Sequence, residues 1–250
     1  MGRSSRFFAE DLAPEVLRLS ADEAHHALNV LRLPSGAEVE LFDGRGGLAV
    51  GRIVEARRGG VAVRVEARED LGPRPGPAVH LAFAVPKGKR LDWLLEKATL
   101  LAAASLQPVA FQRSVGPAAA GRLAPVKRRR WLTHCIAAAR QGGLNWLPEI
   151  RDGLPLADFL TDALTDPAGY VGVVGVVDGG SRPIREILAR APAGREICLL
   201  IGPEGGLTRA ELADVVEAGF TPARLGRTIL RVETAAIALL AAAVAVYGEQ

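Results

Sequence analysis

The chain has 250 residues, 49% hydrophobic and 24% charged, which suits a globular protein with one large domain or two small ones. Its formal net charge is +3, and of its 31 basic residues 27 are arginine and four are lysine. Arginine is suited to binding nucleic-acid phosphates and bases, although a GC-rich genome would give the same bias. Two widely spaced cysteines exclude a disulfide framework and a zinc site, and no apolar run reaches the roughly 20 residues that span a membrane, so we expect a cytoplasmic protein that binds no metal.

The first 70 residues have the pattern of a small β domain. Hydrophobic and polar residues alternate in three segments between residues 39 and 65, which is the period of a half-buried strand. Ser20 to Glu23 has the capping-box pattern of a helix start and predicts a helix over Ala24 to Leu31. Gly44 to Ala49 matches a dinucleotide-binding fingerprint, but it lies between two predicted strands and is therefore predicted to be a hairpin turn.

The segment Leu71 to Pro77 is predicted to be a linker, because its three prolines and two glycines cannot continue a helix or a central strand. Beyond it, strand and helix patterns alternate, which predicts a mostly parallel sheet covered by helices. The predicted strands are Val79–Val85, Gln107–Phe111, Tyr170–Val177, Ile197–Ile201 and Pro222–Leu225. The predicted helices are Leu91–Ala104, Leu123–Arg140, Ile184–Arg190, the segment capped by Thr208 and ending at Ala218, and Glu233–Tyr247. We therefore divide the chain into a β domain (1–72) and an α/β domain (73–250).

Two glycine-bearing loops, Gly202–Gly206 and Leu225–Leu230, each follow a predicted strand and precede a predicted helix. Loops beyond the carboxyl ends of strands are where α/β proteins bind ligands, and glycine there allows close approach to the backbone. A plain strand-to-helix turn is the alternative. The carboxylate of Glu204 opposes a phosphate ligand and favours one with a cationic centre or adenine N–H donors. The pattern predicts a cofactor site built from the last part of the chain.

The second loop leads into a segment with two candidate catalytic residues, Arg231 and Glu233. Arg231 is flanked by Leu230 and Val232 at the start of a predicted buried helix, where a charged side chain needs a partner. It is the best candidate for a catalytic or substrate-phosphate contact. Glu233 and Thr234 have a simpler alternative, because they could satisfy the N–H groups and the dipole of the first helical turn.

The sequences IGPEGG (201–206) and LGRTILRVETA (225–235) closely resemble the motifs of the bacterial 16S rRNA (uracil-N3)-methyltransferase family, known as RsmE, in the SPOUT superfamily. The similarity extends over the whole chain, and these paired motifs are far more specific than a single glycine pattern. Further matching segments are Arg6-Phe7-Phe8, Glu23 to Arg32, Lys87 to Ala98, Arg113-Ser114 and Gln141 to Ile150.

The resemblance implies a PUA-like β-barrel followed by a SPOUT-type α/β domain with a trefoil knot at about residues 170–250. It also implies a homodimer that uses S-adenosylmethionine to methylate N3 of a uridine in the decoding region of 16S rRNA, within the 30S subunit. Arg231 and Glu233 are then the expected catalytic residues. The expected cofactor-binding residues are Val177, Asp178, Gly179, Ile201, Gly202, Pro203, Glu204, Gly205, Gly206, Leu225, Gly226, Ile229, Leu230, Thr234 and Ala235. The expected RNA-binding residues are Arg6, Arg32, Lys87, Lys89, Arg113, Arg128 and Arg129.

The chain departs from the family pattern in three places, and the changes at Leu100, Arg140 and Leu144 motivate an alternative. Leu100 stands where the family usually has Glu, Arg140 and Leu144 stand where it usually has Glu and Arg, and Val177–Gly180 lacks a His-Pro found in some members. The alternative is a non-catalytic RNA-binding or ribosome-assembly factor that kept the fold. A weaker third hypothesis is an α/β enzyme with another adenine-containing cofactor. The alanine-rich terminal helix favours a homodimer, unless that helix is buried within one subunit.

Overall fold

The computed structural model describes residues 5–114, 121–162, 169–177, 180–192 and 194–247. Its contacts divide the chain into two units, one of Met1–Pro75 with Ile136–Leu147 and one of Gly76–Cys135 with Pro148–Gln250. The division runs through a single helix, Pro125–Gly142. The domain boundary at residues 72 and 73 stays a prediction.

The first unit is built on a five-stranded sheet with the order β1-β3-β4-β5-β2. Its strands are β1 (Ser5–Phe8), β2 (Val16–Arg18), β3 (Glu38–Phe42), β4 (Gly47–Arg57) and β5 (Gly60–Asp70). Strand β1 pairs with β3 in parallel and the other pairs are antiparallel. The three predicted strands are confirmed, and Leu41 and Val63 are buried in the core as the alternation requires. In β4 the alternation has the opposite phase, because Ala49 is buried while Leu48 and Val50 are half-buried. The hairpin between β3 and β4 is also confirmed, since the N–H of Gly47 donates to Asp43 Oδ1 at 2.9 Å.

The helix of this unit differs from the predicted one. Helix α1 (Ala21–His25) begins three residues before the predicted start and continues as a π-helix, His26–Val30. Ser20 Oγ accepts from the N–H of Glu23, but the carboxylate of Glu23 does not return to the helix start. It accepts from the N–H of Phe8 at 3.1 Å and from Arg140 Nη1 at 2.9 Å.

The Glu23 carboxylate does not cap the helix start because it is buried and pairs with the guanidinium of Arg140. The residue is 5% exposed, and desolvation by burial raises the pKa of its carboxyl, while Arg140 and the Phe8 N–H act in the opposite direction. A buried carboxylate is stable only when it is paired and hydrogen-bonded. Arg140, one of the departures from the family pattern, therefore has a defined structural partner in this chain.

The second unit is built on an eight-stranded sheet with the order β11-β13-β10-β12-β6-β7-β8, and β9 also pairs with β7. Its strands are β6 (Val79–Phe83), β7 (Ser105–Ala110), β8 (Glu149–Ile150), β9 (Leu154–Pro155), β10 (Tyr170–Gly175), β11 (Arg182–Pro183), β12 (Glu196–Ile201) and β13 (Thr221–Arg224). Its helices are α2 (Lys89–Leu100), α3 (Pro125–Gly142, shared with the first unit), α4 (Leu156–Asp162), α5 (Ile184–Leu188), α6 (Arg209–Glu217) and α7 (Val232–Tyr247). Every strand pair is parallel, which confirms the predicted sheet.

The terminal helix α7 buries one face within its own chain, against α2, β6 and β12. Val232, Ala236, Leu239, Leu240 and Ala243 on this face are at most 3% exposed. The opposite face, which includes Ala238 and Ala241, is half-buried. One face of the helix is therefore buried within its own subunit, which is the alternative to a homodimer given above. Its other apolar face is left partly exposed. None of the helices in the described ranges is long and apolar enough to cross a membrane.

Candidate active site

Three neighbouring parallel strands of the second unit end at the same edge of the sheet. Gly175 at the end of β10 is in register with Ile201 of β12 on one side and with Ala223 of β13 on the other. Because ligands of open α/β sheets bind outside the carboxyl ends of the strands, this edge is where a site is expected. A cavity of about 340 Å³ lies there, lined by the segments that follow all three strands.

The loop Gly202–Gly206 forms one wall of the cavity and is a tight turn. The N–H of Gly206 donates to the carbonyl of Pro203 at 2.8 Å, and Gly206 has a φ of +68°, a left-handed conformation that favours glycine. A Cβ at Gly202 would lie 2.2 Å from Cδ1 of Leu207, so a side chain there would displace Leu207. The loop therefore needs glycine for packing as well as for ligand access.

Helix α6 fixes the end of this loop through a capping box. The hydroxyl of Thr208 accepts from the N–H of Glu211 at 3.2 Å, and Glu211 Oε2 accepts from the N–H of Thr208 at 2.7 Å. Two arginines contact the loop itself. Arg113 Nη1 donates to the carbonyl of Gly205 at 2.9 Å, and Arg90 Nη1 lies 3.4 Å from Glu204 Oε1.

The loop after β13 also lines the cavity and is more exposed. Ile229 is 86% exposed and Leu225 is 39% exposed, although both side chains are apolar. Within the described part of the chain, the backbone groups of Gly226, Ile229 and Leu230 form no hydrogen bond to another backbone group. Polar backbone groups in such a wall are available to a ligand. Val232, Ala235 and Leu239 of α7 complete the lining.

The cavity brings together most of the predicted cofactor residues. Those in its lining are Val177, Ile201, Gly202, Pro203, Glu204, Gly205, Gly206, Leu225, Gly226, Ile229, Leu230 and Ala235. Thr234 is exposed and does not line the cavity, and Asp178 and Gly179 lie outside the described residues. Thr228, within the predicted loop Leu225–Leu230, also lines the cavity. Lining residues that were not predicted from the sequence are Gly175, Val176, Leu207, Leu212, Ala223, Arg224, Val232 and Leu239. Val232 and Leu239 could have been found, since they share a helix face with Ala235.

The two predicted catalytic residues lie beside the cavity, outside its lining. Arg231 is exposed and directly precedes α7, and its carbonyl accepts from the N–H of Ala235 at 2.8 Å. Its flanking apolar residues therefore do not bury it, and the expectation that burial demands a partner for Arg231 was wrong. Glu233 is only 7% exposed, and its Oε2 atom has no hydrogen-bond partner within the described structure.

The predicted RNA-binding residues fall into two groups. Arg32, Lys87, Lys89, Arg113 and Arg129 are exposed. Arg6 is buried, where its guanidinium contacts Glu40 and Asn145 and lies 4.8 Å from the ring centre of Phe42. Arg128 is half-exposed and pairs with Asp152 at 2.5 Å. Arg6 and Arg128 thus have acidic partners within the fold. The five residues of the first group are exposed, and one of them, Arg113, also donates to the carbonyl of Gly205.

The cavity suits S-adenosylmethionine in size and chemistry. Pockets for ligands of this size typically measure about 300–1,000 Å³ and are mostly apolar with a few polar groups. Ile201, Leu212 and Leu239 supply apolar surface for an adenine ring, while the open backbone groups can pair with its polar edge. Glu204 supplies a negative charge suited to a cationic ligand. Among the described residues, no group of three or more His, Cys, Asp or Glu could hold a metal ion.

Comparison with known protein families decides the class. Residues 74–244 match a family model for an RNA methyltransferase domain, and residues 19–66 match one for an RNA methyltransferase PUA domain. The chain belongs to the RNA methyltransferase family. The predicted family membership is thereby confirmed, and so is the order of a PUA-type β domain followed by an α/β methyltransferase domain.

Individual members of the family are similar to this methyltransferase over almost its whole length. Ribosomal RNA small subunit methyltransferase E of Mycobacterium bovis is 32% identical over 94% of this chain and 89% of its own. The crystal structure of the enzyme of that name from Neisseria gonorrhoeae, bound to S-adenosylmethionine, is 26% identical, with a TM-score of 0.85 and coverage of 99% and 100%. A methyltransferase of Legionella pneumophila in complex with S-adenosylmethionine is 28% identical, with a TM-score of 0.83 and coverage of 98% of both chains.

Proposed function

We propose that this RNA methyltransferase transfers the methyl group of S-adenosylmethionine to N3 of a uridine in the decoding region of 16S rRNA. Relatives that match nearly the full chain are ribosomal RNA methyltransferases, and one of them is bound to S-adenosylmethionine. S-adenosylmethionine-dependent methylation of ribosomal RNA is likewise the activity of this enzyme. The base and its position rest on the family resemblance. The observation that carries the proposal is the cavity at the carboxyl ends of β10, β12 and β13, which both motif loops line.

The residues of the cavity would hold the cofactor, and their main contribution to the reaction would be to align its methyl group with the acceptor nitrogen. S-adenosylmethionine supplies an electrophilic methyl group on a sulfonium when it is bound. Ile201, Leu212 and Leu239 would exclude water from the adenine, and the backbone of Gly226 to Leu230 would bind its polar groups. Fixing donor and acceptor in one geometry removes much of the entropic barrier to a transfer reaction.

Arg231 and Glu233 are proposed to act on the substrate side of the cavity. The exposed guanidinium of Arg231 would stabilise negative charge on the uracil carbonyls as N3 loses its proton, or hold a neighbouring phosphate. Glu233 is buried one residue after the cavity-lining Val232, and its Oε2 atom has no hydrogen-bond partner in the described ranges. An unpaired buried acceptor costs about 1–3 kcal/mol, which a donor from ligand or substrate would recover. This supports a role for Glu233 in the loaded site.

The remaining proposals concern the setting of the reaction. We propose that the exposed cations Arg32, Lys87, Lys89 and Arg129 contact rRNA, because phosphate contacts dominate the affinity of such proteins. The half-buried outer face of α7, with Ala238 and Ala241, supports the proposal of a homodimer. A trefoil knot in the cofactor region, a substrate assembled as the 30S subunit and a cytoplasmic location follow from the family resemblance.

The test is a reconstitution with purified components. The protein is incubated with tritiated S-adenosylmethionine and with 16S rRNA or 30S subunits from cells that lack this modification. The product is then digested and analysed by mass spectrometry. We expect one methyl per rRNA, on uridine N3. Cofactor and RNA binding without methyl transfer would instead support the non-catalytic RNA-binding factor.

A further inference from the structure

Arg113 contacts the cofactor loop with both halves of its side chain. Its guanidinium Nη1 donates to the carbonyl of Gly205 at 2.9 Å. A Cβ placed on Gly205 would lie 3.3 Å from Cβ and 3.4 Å from Cδ of Arg113, so the aliphatic stem packs closely on the Gly205 backbone. An exposed arginine that serves only as a phosphate contact would not need this packing. The side chain therefore supports a loop that lines the cavity, although Arg113 does not line the cavity itself.

The hydrogen bond from Arg113 fixes one particular peptide group. The carbonyl of Gly205 and the N–H of Gly206 belong to the same planar peptide unit. Arg113 holds the carbonyl end, and the carbonyl of Pro203 accepts from the N–H end at 2.8 Å. Glycine has the greatest backbone freedom of any residue, so a peptide between two exposed glycines reorients easily unless both ends are held.

The segment that carries Arg113 is itself firmly held. Its preceding residue, Gln112, donates its N–H to Glu211 Oε1 at 2.7 Å, and the same buried carboxylate caps α6 through Thr208. Phe111 is buried, and its N–H donates to Ser114 Oγ at 3.0 Å. One carboxylate thus connects the segment 111–114 to the helix that follows the cofactor loop.

The second arginine on this loop is a weaker support. Arg90 and Glu204 are 44% and 46% exposed, and their charged atoms are 3.4 Å apart. Exposed ion pairs of this kind contribute about 0–1 kcal/mol because water and salt screen them. Of the two arginines, Arg113 therefore exerts the stronger hold on the loop.

We propose that Arg113 is a positioning residue for cofactor binding, which acts through Gly205 and does not contact RNA. This inference rests on the proposed function, because it assumes that S-adenosylmethionine binds in the cavity beside the loop. It assigns to the cofactor site a residue that the sequence alone had placed among the RNA contacts.

The test compares Arg113→Met with Arg209→Met. Methionine keeps an unbranched stem against Gly205 and removes the guanidinium, and Arg209 is an exposed arginine on the first turn of α6 that serves as the matched control. We expect Arg113→Met to raise the Kd and the KM for S-adenosylmethionine about 5- to 10-fold, the loss expected for one ordinary hydrogen bond at an exposed position. The kcat, the thermal midpoint, and the RNA affinity and its salt dependence without cofactor should match those of Arg209→Met. Arg113→Lys, which restores one donor, should recover part of the affinity.

Each of the following three results would contradict the inference. Unchanged cofactor affinity in Arg113→Met, with a wild-type protein that binds S-adenosylmethionine, overturns the inference and leaves the proposed function intact. Weaker RNA binding in the absence of cofactor, with or without a change in cofactor affinity, returns Arg113 to the RNA contacts. A wild-type protein that binds no S-adenosylmethionine overturns the proposed function and this inference together.

Discussion

Filling the cavity from helix α7 should weaken cofactor binding without disturbing the fold. Ala235 lines the cavity and is half-buried on the first turn of α7. Ala235→Leu adds three carbon atoms; at about 30 Å³ each, the volume of one water in the liquid, they occupy roughly a quarter of the 340 Å³ cavity. Overpacking an occupied site costs about 1–3 kcal/mol, which corresponds to an increase of about 5- to 150-fold in Kd. Leucine and alanine are both strong helix formers, so the thermal midpoint should stay within about 2 °C.

Isothermal titration calorimetry with S-adenosylmethionine measures this effect directly. The matched control is Ala210→Leu, the same substitution on the exposed surface of α6, which does not line the cavity. We expect normal cofactor affinity for the control and a loss of at least about fivefold for Ala235→Leu. Unchanged affinity in Ala235→Leu, with a normal thermal midpoint, would refute the assignment of the cofactor to this cavity.

Four further predictions follow from individual side chains. Arg231→Ala should lower kcat by about 10²-fold or more and leave cofactor Kd within about twofold, because its guanidinium lies outside the cavity lining; a parallel loss of cofactor affinity would contradict this. Arg129→Glu should weaken RNA binding and flatten its salt dependence, and an unchanged slope in binding titrations would exclude a phosphate contact. Arg140→Met should lower the free energy of unfolding by about 3–5 kcal/mol in urea titrations, because the buried Glu23 loses its partner; a loss below about 1 kcal/mol would mean that the pair is not structural. Burial lowers the pKa of His80 below its usual 6.5, so below about pH 6.5 the unfolded chain binds a proton that the folded protein does not. The thermal midpoint should therefore fall as the pH drops below about 6.5, and an equal fall in His80→Asn would contradict this.

The carboxyl ends of the sheet strands were predicted from local sequence patterns, at the observed residue for β12 and within two residues for β6, β7, β10 and β13. The apolar run that ends at Ile201 stops at Gly202, and the predicted strand that ends at Leu225 stops at Gly226, so these two glycines mark the loops that line the cavity. The face of α7 that reaches the cavity follows from helical spacing in the same way. Strands β8, β9 and β11 could not be predicted, because each has two residues and so carries no periodic signal.

The predictions from sequence differed from the structure mainly where a side chain has a partner that is distant in sequence. The carboxylate of Glu23 pairs with Arg140, 117 positions away, so the local capping-box pattern predicted only the half of the motif that Ser20 supplies. The guanidinium of Arg113 bonds to Gly205, 92 positions away, which a local charge pattern cannot reveal. Exposure of Arg231 was missed for a related reason: apolar neighbours in sequence do not fix the direction of a side chain at a helix start.

The most direct measurement is mass spectrometric mapping of 16S rRNA from cells in which the gene for this protein has been deleted. We expect one methyl group to be missing, on N3 of one uridine in the decoding region. We also expect the wild-type gene to restore this methyl group fully and the Ala235→Leu gene to restore less of it. An rRNA methylation pattern identical to that of the parent cells, or the loss of a methyl from a base other than uridine, would contradict the central claim.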